Sequence, residues 1–181
     1  MELQHVNIKI PLDGQLSVDL SRIVETFHQW IRDGVMDELL IDVADYAHVP
    51  AGPGVLLIGH EADYCFDNTG DRWGLRYNRK APLTGSNENR FHQAFRAAAK
   101  ACLSLETQLA LKFSRTNLEL FINDRALAPN TPATYSACKA DLSAFATDTL
   151  GCPKFTLKRD SDPRHRFSVA ITVRQPFDLS N

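Results

Sequence analysis

The segment that decides the fold runs from Glu38 to Tyr64 and reads ELLIDVADYAHVPAGPGVLLIGHEADY. It predicts two strands, 39–46 and 55–64, joined by a turn rich in proline and glycine. Apolar residues occupy both alternating positions of each strand, so we expect both strands to be central and covered on both faces. Charged residues interrupt these strands, which is unusual for a pure core strand, and they make this segment the first candidate for a functional site.

Patterns outside this segment predict further strands and three amphipathic helices. Alternation predicts strands at 3–10, 73–80, 118–122, 125–128, 155–158 and 167–173. Apolar residues at steps of three and four predict helices at about 17–33, 87–109 and 131–150. The expected N-caps are Ser17 for the first helix, Ser86 or Asn87 for the second, and Thr131 followed by Pro132 for the third.

These elements predict an α+β fold. We expect a two-layer sandwich in which a mostly antiparallel or mixed sheet of about seven to nine strands carries about three helices, mainly on one face. The alternative is a more open three-layer arrangement, in which the two central strands run parallel to a neighbour. Strand order does not follow from one sequence.

Length and composition favour a single domain over residues 1–181, because 44% hydrophobic residues suffice for a full core. The segment 175–181 reads as a loosely ordered tail. The N-terminus lacks the pattern of a signal peptide, and no apolar run approaches the roughly 18 residues of a membrane span. We therefore expect a soluble, cytoplasmic protein that does not contact membranes.

Four cysteines lie far apart in the sequence, at Cys65, Cys102, Cys138 and Cys152. Their spacing is not that of a zinc site, and in a reducing compartment such residues are usually small buried hydrophobes. Cys65 follows a predicted strand end and is the one candidate nucleophile among them, although no flanking motif identifies it as such.

Charge is unevenly distributed along the chain. The net charge is −2, which does not favour a nucleic-acid-binding protein. Between Asp33 and Asp71 there are nine acidic residues and no lysine or arginine. Four basic residues follow at once, namely Arg72, Arg76, Arg79 and Lys80. The simplest interpretation is that the two blocks neutralise each other across neighbouring strands, and the alternative is a ligand site where they meet.

Polar residues at the ends of the two central strands form the first candidate site. We predict catalytic roles for His60, Asp63 and Tyr64, because a carboxylate orients a histidine base and a tyrosine hydroxyl donates to an oxyanion. Asp42, Tyr46 and His48 are predicted to bind the ligand at the same end. The opposing interpretation is that all of these residues cap turns and form ion pairs at strand edges.

Basic residues form the second candidate set, which is expected to hold an anionic small molecule. The set consists of Arg76, Arg79 and Lys80, with Arg164 and Arg166 further along the chain. Trp73 or Tyr77 is the expected stacking wall. The opposing interpretation is that acidic neighbours saturate these arginines.

A metal site built from His48, His60 and an aspartate has the right residue types for iron or zinc but no supporting spacing. We therefore predict no metal ligands, and the sequence identifies no cofactor.

The expected function is binding of, or catalysis on, a small anionic molecule at the ends of strands 39–46 and 55–64. The alternative is a non-catalytic assembly module. In either case we expect a homodimer, because three helices cover only part of such a sheet and apolar sheet surface must meet something else.

Overall fold

The computed structural model describes residues 1–180. In chain order its elements are β1 Val6–Pro11, α1 Leu20–Asp33, β2 Leu40–Tyr46, β3 Gly54–Gly59, β4 Ala62–Asp67, β5 Gly74–Arg79, α2 Asn87–Leu109, β6 Asn117–Ile122, α3 Pro132–Ala144, β7 Phe155–Arg159 and β8 Ser168–Val173. A π-helical turn, Phe145–Thr149, extends α3.

The eight strands of the described residues form one sheet in the order β2-β3-β4-β5-β1-β6-β8-β7. Every neighbouring pair is antiparallel, and the sheet stays open, with β2 and β7 at its edges. The predicted α+β sandwich is confirmed, and the alternative with parallel central strands is wrong.

In most strands the alternation separates an apolar face from a polar one, although Leu56 and Ile58 of β3 place apolar side chains on the second face as well. On the apolar face, Val6, Ile8 and Ile10 of β1 are almost fully buried. Helices α1 and α2 pack on this face, where Phe27 and Phe95 are buried with them. Burying apolar area in this way removes about 25 cal/mol of unfavourable hydration per Å², so this layer supplies most of the stability.

Helix boundaries follow from capping side chains. Ser86 caps α2 as predicted, since its hydroxyl accepts from the backbone N–H of Asn89. Thr131 and Pro132 begin α3 as predicted. In α1 the cap is Asp19 rather than Ser17, because the Asp19 carboxylate accepts from Ser21 N–H at 2.8 Å.

The predicted strand 55–64 is two strands. His60 and Glu61 form the turn of a hairpin between β3 and β4. A Cβ at Gly59 would lie 2.4 Å from the carbonyl oxygen of Ala62, so the tight approach requires glycine. Apolar alternation continues on both sides of this turn, which is why the sequence pattern does not show it.

β2 is an edge strand and not a covered central one. A bulge interrupts its pairing with β3 between Leu40 and Asp42. Leu39 and Ile41 are 70% and 56% exposed. The Asp42 carboxylate accepts from the N–H of Val43 at 2.8 Å, which occupies a backbone donor of the edge.

Two further segments differ from their predictions. Residues 125–128 form a turn instead of a strand, because the Asp124 carboxylate accepts from the N–H groups of Ala126 and Leu127. The C-terminal segment, predicted to be a loose tail, packs against the core as far as residue 180, because Phe177 and Leu179 are each only 2% exposed. Asn181 lies outside the described residues.

Candidate anion-binding site

A groove runs over β8 on the face of the sheet that lacks helices. Ala170 of β8 pairs in register with Glu119 of β6 on one side and Lys158 of β7 on the other. Ser168, two residues earlier on the same face, pairs with Phe121 of β6. Ser168 and Ala170 have short side chains, whereas Glu119, Phe121 and Lys158 on the neighbouring strands have long ones. The surface of the sheet is therefore recessed along β8. The groove belongs to an open cavity of about 910 Å³.

A buried ion cluster lies at one wall of this cavity. Lys9 Nζ lies 2.7 Å from Asp67 Oδ2, and Arg76 Nη1 lies 3.1 Å from Asp67 Oδ1. The side chains of Lys9 and Asp67 are 2% and 0% exposed. Thr69 completes the cluster by donating from its hydroxyl to Asp67. One carboxylate faces two cations here, so the cluster carries a net positive charge.

The segment 160–167, between β7 and β8, forms the opposite rim. Asp160 Oδ2 lies 2.7 Å from His165 Nδ1, and the Asp162 carboxylate binds the Arg164 guanidinium through Nε and Nη2. The Arg164 side chain lowers the pKa of Asp162 to about 2. The N–H of Asp162 lowers the pKa of Asp160. Both carboxylates are therefore ionised at neutral pH and balanced by local partners.

Arg166 is a half-buried cation of the cavity that forms no ion pair with the described residues. Its guanidinium lies 5.7 Å from the Phe121 ring centroid, and Nη1 donates to Asn123 Oδ1 at 3.2 Å. Within residues 1–180 no carboxylate oxygen lies within 4 Å of its nitrogens. Burial lowers the pKa of Arg166 and the nearby Arg76 charge lowers it further, whereas the charge of Asp67, which lies beyond ion-pair distance, acts in the opposite direction. A half-buried positive charge without a counter-ion is an attractive position for an anion.

The lining of the cavity is strongly basic. Among the described residues it contains three carboxylates, Asp67, Glu119 and Asp160, and seven cations: Lys9, Arg72, Arg125, Lys158, Arg159, Arg164 and Arg166. The whole chain carries a net charge of −2, so this excess of positive charge is local. A concave surface of one sign focuses the field and attracts ligands of the other sign.

Polar groups without partners lie on the same face of the sheet, on the central strands β1 and β5. Asn7 is fully buried, yet neither its Nδ2 nor its Oδ1 has a hydrogen-bond partner among the described residues. Asn78 pairs with Asn7 in register, and its Oδ1 also lacks a partner there. Arg76 Nε is a third such group. This face therefore retains unused hydrogen-bonding capacity.

The structure separates the three residues that the sequence assigned to catalysis. His60 is exposed in the β3–β4 turn. Asp63 faces the polar side and pairs with Lys80 at 2.7 Å. Tyr64 faces the helices, where its hydroxyl donates to Glu38 Oε2 at 2.6 Å. Asp63 and Tyr64 point to opposite faces of β4, so these residues do not converge on one point.

The predicted ligand-binding residues are separated in the same way. Asp42 lies near the start of β2, whereas Tyr46 and His48 lie at its other end, with ring centroids 6.3 Å apart. Arg79 faces the helix side and pairs with Glu61 at 3.0 Å. Of this set, Arg76 alone joins the ion cluster beside the cavity. The pairs Asp67–Arg76, Glu61–Arg79 and Asp63–Lys80 confirm that the acidic and basic blocks meet across β4 and β5.

A second, smaller cavity lies on the helix side. Glu38, Arg79, Arg96 and Gln93 are among the residues that line its volume of about 660 Å³. The hydroxyls of Tyr64 and Tyr77 both donate to Glu38. Burial raises the pKa of both tyrosines, so they remain neutral donors. This network is fully paired and ties the segment before β2 to the core of the sheet.

The remaining sequence candidates have structural explanations. All four cysteines are free and buried, and burial raises the pKa of the Cys65 thiol to about 12, which makes it a poor nucleophile. Trp73 stacks on Phe66, and Tyr77 faces the helices, so neither forms a wall of the basic cavity. Within residues 1–180 no group of three potential metal ligands comes together.

Sequence reasoning singled out Arg76, Arg164 and Arg166 but missed Lys9, Glu119 and Lys158. One signal was available for Lys9, a lysine in the middle of the apolar strand VNIKIP, since a buried lysine needs a partner. No comparable signal marks Glu119 or Lys158, because their proximity depends on strand order.

Comparison with known protein families finds no model that matches the chain, and comparison with curated proteins finds no significant relative. None of the helices in the described part of the chain has the length and apolarity to cross a membrane.

Proposed function

We propose that the protein binds a small anionic molecule in the basic cavity on the helix-free face of the sheet. The observation that carries this proposal is Arg166, whose half-buried guanidinium has no carboxylate within 4 Å among residues 1–180. An anion in the cavity would supply the missing charge. Guanidinium groups bind carboxylates and phosphates through two parallel hydrogen bonds, which gives such a site direction as well as attraction.

The surrounding charges support the same proposal. Lys158 and Arg125 line the cavity and, like Arg166, form no ion pair with any described carboxylate. The ion cluster of Lys9, Asp67 and Arg76 contributes a further net positive charge from below. A cavity of about 910 Å³ lies within the roughly 300–1,000 Å³ of typical ligand sites. With a net charge of −2 for the whole chain, a small molecule is favoured over a nucleic acid.

The test is a thermal-shift titration with pyrophosphate at constant ionic strength. A ligand at about 100 times its Kd adds about 2.7 kcal/mol to the free energy of unfolding, which corresponds to roughly 5–10 °C in Tm for a chain of this size. We expect wild-type protein to show a shift of this size and Arg166→Gln to lose most of it, each measured from its own Tm without ligand.

Arg174→Gln is the matched control, because Arg174 is exposed and does not line the cavity. It should keep the wild-type response. The proposal fails if pyrophosphate leaves the wild-type Tm unchanged, or if both variants respond equally.

A second candidate function, homo-oligomeric assembly, is favoured by one observation. Leu39, immediately before the edge strand β2, and Ile41, near its start, are 70% and 56% exposed, and Tyr46 is exposed at the other end of the strand. Two copies could cover these side chains by facing each other, which would realise the expected homodimer. Light scattering at two protein concentrations tests it: a mass that stays at one chain at both concentrations excludes the dimer.

The proposed setting of either function is the cytoplasm. It is supported by the four free, buried cysteines, which suit a reducing compartment.

A further inference from the structure

Building on the anion site proposed above, we infer that the ligand of the basic cavity is a sugar phosphate, with its phosphate on the unpaired cations and its hydroxyls on Glu119. Three carboxylates line the cavity, Asp67, Glu119 and Asp160, and each would repel a purely anionic ligand.

The three carboxylates are not equally available to a ligand. Asp67 is buried between Lys9 and Arg76. Asp160 is engaged by His165 and by the N–H of Asp162. Glu119 is half-exposed on the wall of the groove, and only its Oε1 meets Arg72. A carboxylate has four lone-pair sites, so Glu119 retains acceptor capacity toward the groove.

A hydroxylated ligand turns this carboxylate from a repulsive group into a partner. Hydroxyl donors bind an ionised acceptor about twice as strongly as a neutral one. A polycarboxylate without hydroxyl groups has no such donors and would place a charge beside Glu119 instead. The site would therefore select its ligand in two ways, since Glu119 repels polycarboxylates and attracts the hydroxyls of a sugar phosphate.

The register of the sheet sets the distance between Glu119, which would accept from the hydroxyls of the ligand, and Lys158, one of the cations that would hold its phosphate. Glu119 and Lys158 both pair with Ala170, from opposite sides, so their strands are two strand spacings apart, roughly 9.5 Å. A monosaccharide phosphate can contact both walls at once, whereas inorganic phosphate reaches one. Ser168, next to Ala170 on the floor, adds a hydroxyl that can donate or accept.

The aromatic content of the cavity favours a sugar over a nucleoside. Phe121 is the only Phe, Tyr or Trp that lines it within residues 1–180, and the Arg166 guanidinium covers that ring. Apart from the His165 imidazole, which Asp160 engages at Nδ1, a base would find no free aromatic face to stack on. Small sugar phosphates need none.

The experiment is isothermal titration with three probes: ribose 5-phosphate, methyl phosphate and tricarballylate. Methyl phosphate keeps the phosphate and removes the hydroxyls, and tricarballylate replaces both by three carboxylates. We expect wild-type protein to bind ribose 5-phosphate at least about tenfold more tightly than either of the other two, which is the effect of one or two charge-assisted hydrogen bonds.

Glu119→Ala should remove this preference, because ribose 5-phosphate loses its acceptor while tricarballylate loses a repulsive charge. Asn117→Ala is the control, since Asn117 lies on the same strand and face but does not line the cavity. If Glu119→Ala does not fold, the affinities of wild-type protein for the three probes still test the proposed ligand class.

The outcomes separate the two proposals. If tricarballylate or methyl phosphate binds as tightly as ribose 5-phosphate, the sugar phosphate is wrong and the anion site stands. An unchanged preference in folded Glu119→Ala also contradicts the role of Glu119. If none of the probes, nor pyrophosphate, binds wild-type protein, both proposals fail.

Discussion

Among single residues, Lys9, Asp67 and Arg76 form a buried ion cluster whose desolvation costs free energy. Burying charges removes their hydration, and mutual attraction compensates only when the partners are well placed. Asp67 meets this condition with contacts of 2.7 Å to Lys9 and 3.1 Å to Arg76. The cluster fixes a positive potential below the cavity, which a flexible surface lysine would not do.

Asp67→Asn should destabilise the protein by about 3–5 kcal/mol, because it leaves two cations without their shared counter-ion. Urea denaturation monitored by circular dichroism measures this free energy of unfolding. Glu25→Gln is the control: its pair with Arg22 at 3.7 Å is exposed on both sides, so its loss should change stability by less than about 0.5 kcal/mol. Equal effects of the two substitutions would show that the cluster is not stabilised as described.

Among the elements, the edge strand β2 is protected against backbone pairing with another chain, which leaves side-chain packing of Leu39 and Ile41 as the route to the proposed dimer. Its bulge disrupts the regular ladder, and the Asp42 carboxylate occupies the N–H of Val43. Charges and bulges on edge strands are common protections against association. The apolar side chains at Leu39 and Ile41 make that protection necessary here.

Asp42→Val should therefore promote association, since it removes a charge and frees a backbone donor on an apolar edge. Light scattering should show a larger mean mass for Asp42→Val than for wild-type protein at the same concentration. Glu25→Val also replaces an exposed acid by valine but lies on helix α1, and it should leave the mass unchanged. The role given to Asp42 is contradicted if both variants behave alike.

The strand β8 creates the groove, because Ser168 and Ala170 are short. Ala170→Leu should fill the groove and weaken pyrophosphate binding at least about tenfold in isothermal titration, while no charge changes. Thr172→Leu makes a similar addition on the same strand and face, outside the cavity, and should bind like wild-type protein. If Ala170→Leu also binds normally, the anion does not lie in the groove.

Local patterns predicted most of these elements correctly. The caps at Ser86 and Thr131 and the final hairpin of β7 and β8 follow from the sequence, since each depends on neighbouring residues. The turn at His60 was missed because the apolar alternation continues across it. The edge position of β2 was missed because apolar residues on both faces resemble a central strand.

At the scale of the whole molecule, strand order determines the site. The sheet brings Glu119, Lys158 and Ala170 together only because β8 lies between β6 and β7. The sequence predicted three of the relevant arginines, Arg76, Arg164 and Arg166, from charge alone. It did not predict their convergence, because pairing between distant strands leaves no local pattern.

Strand order also makes the molecule electrostatically polar. The acidic Asp42 and Asp45 lie on β2 at one edge, and the basic cavity lies toward β7 at the other. Six strand spacings of about 4.8 Å separate β2 from β8, which forms the floor of the groove, and this distance is more than three times the Debye length at physiological salt. The acidic edge therefore does little to weaken the field of the cavity, and anions approaching the basic end are attracted to it.

Locating the bound anion on the sheet would distinguish the β8 groove from the helix-side cavity as its binding site. Uniformly ¹⁵N-labelled protein would be titrated with pyrophosphate and followed by amide chemical shifts. We predict the largest changes at Ser168, Ala170 and Arg166, and none at His92 and Gln93, which line the helix-side cavity. Changes centred on His92 and Gln93, or no saturable change anywhere, would contradict the account.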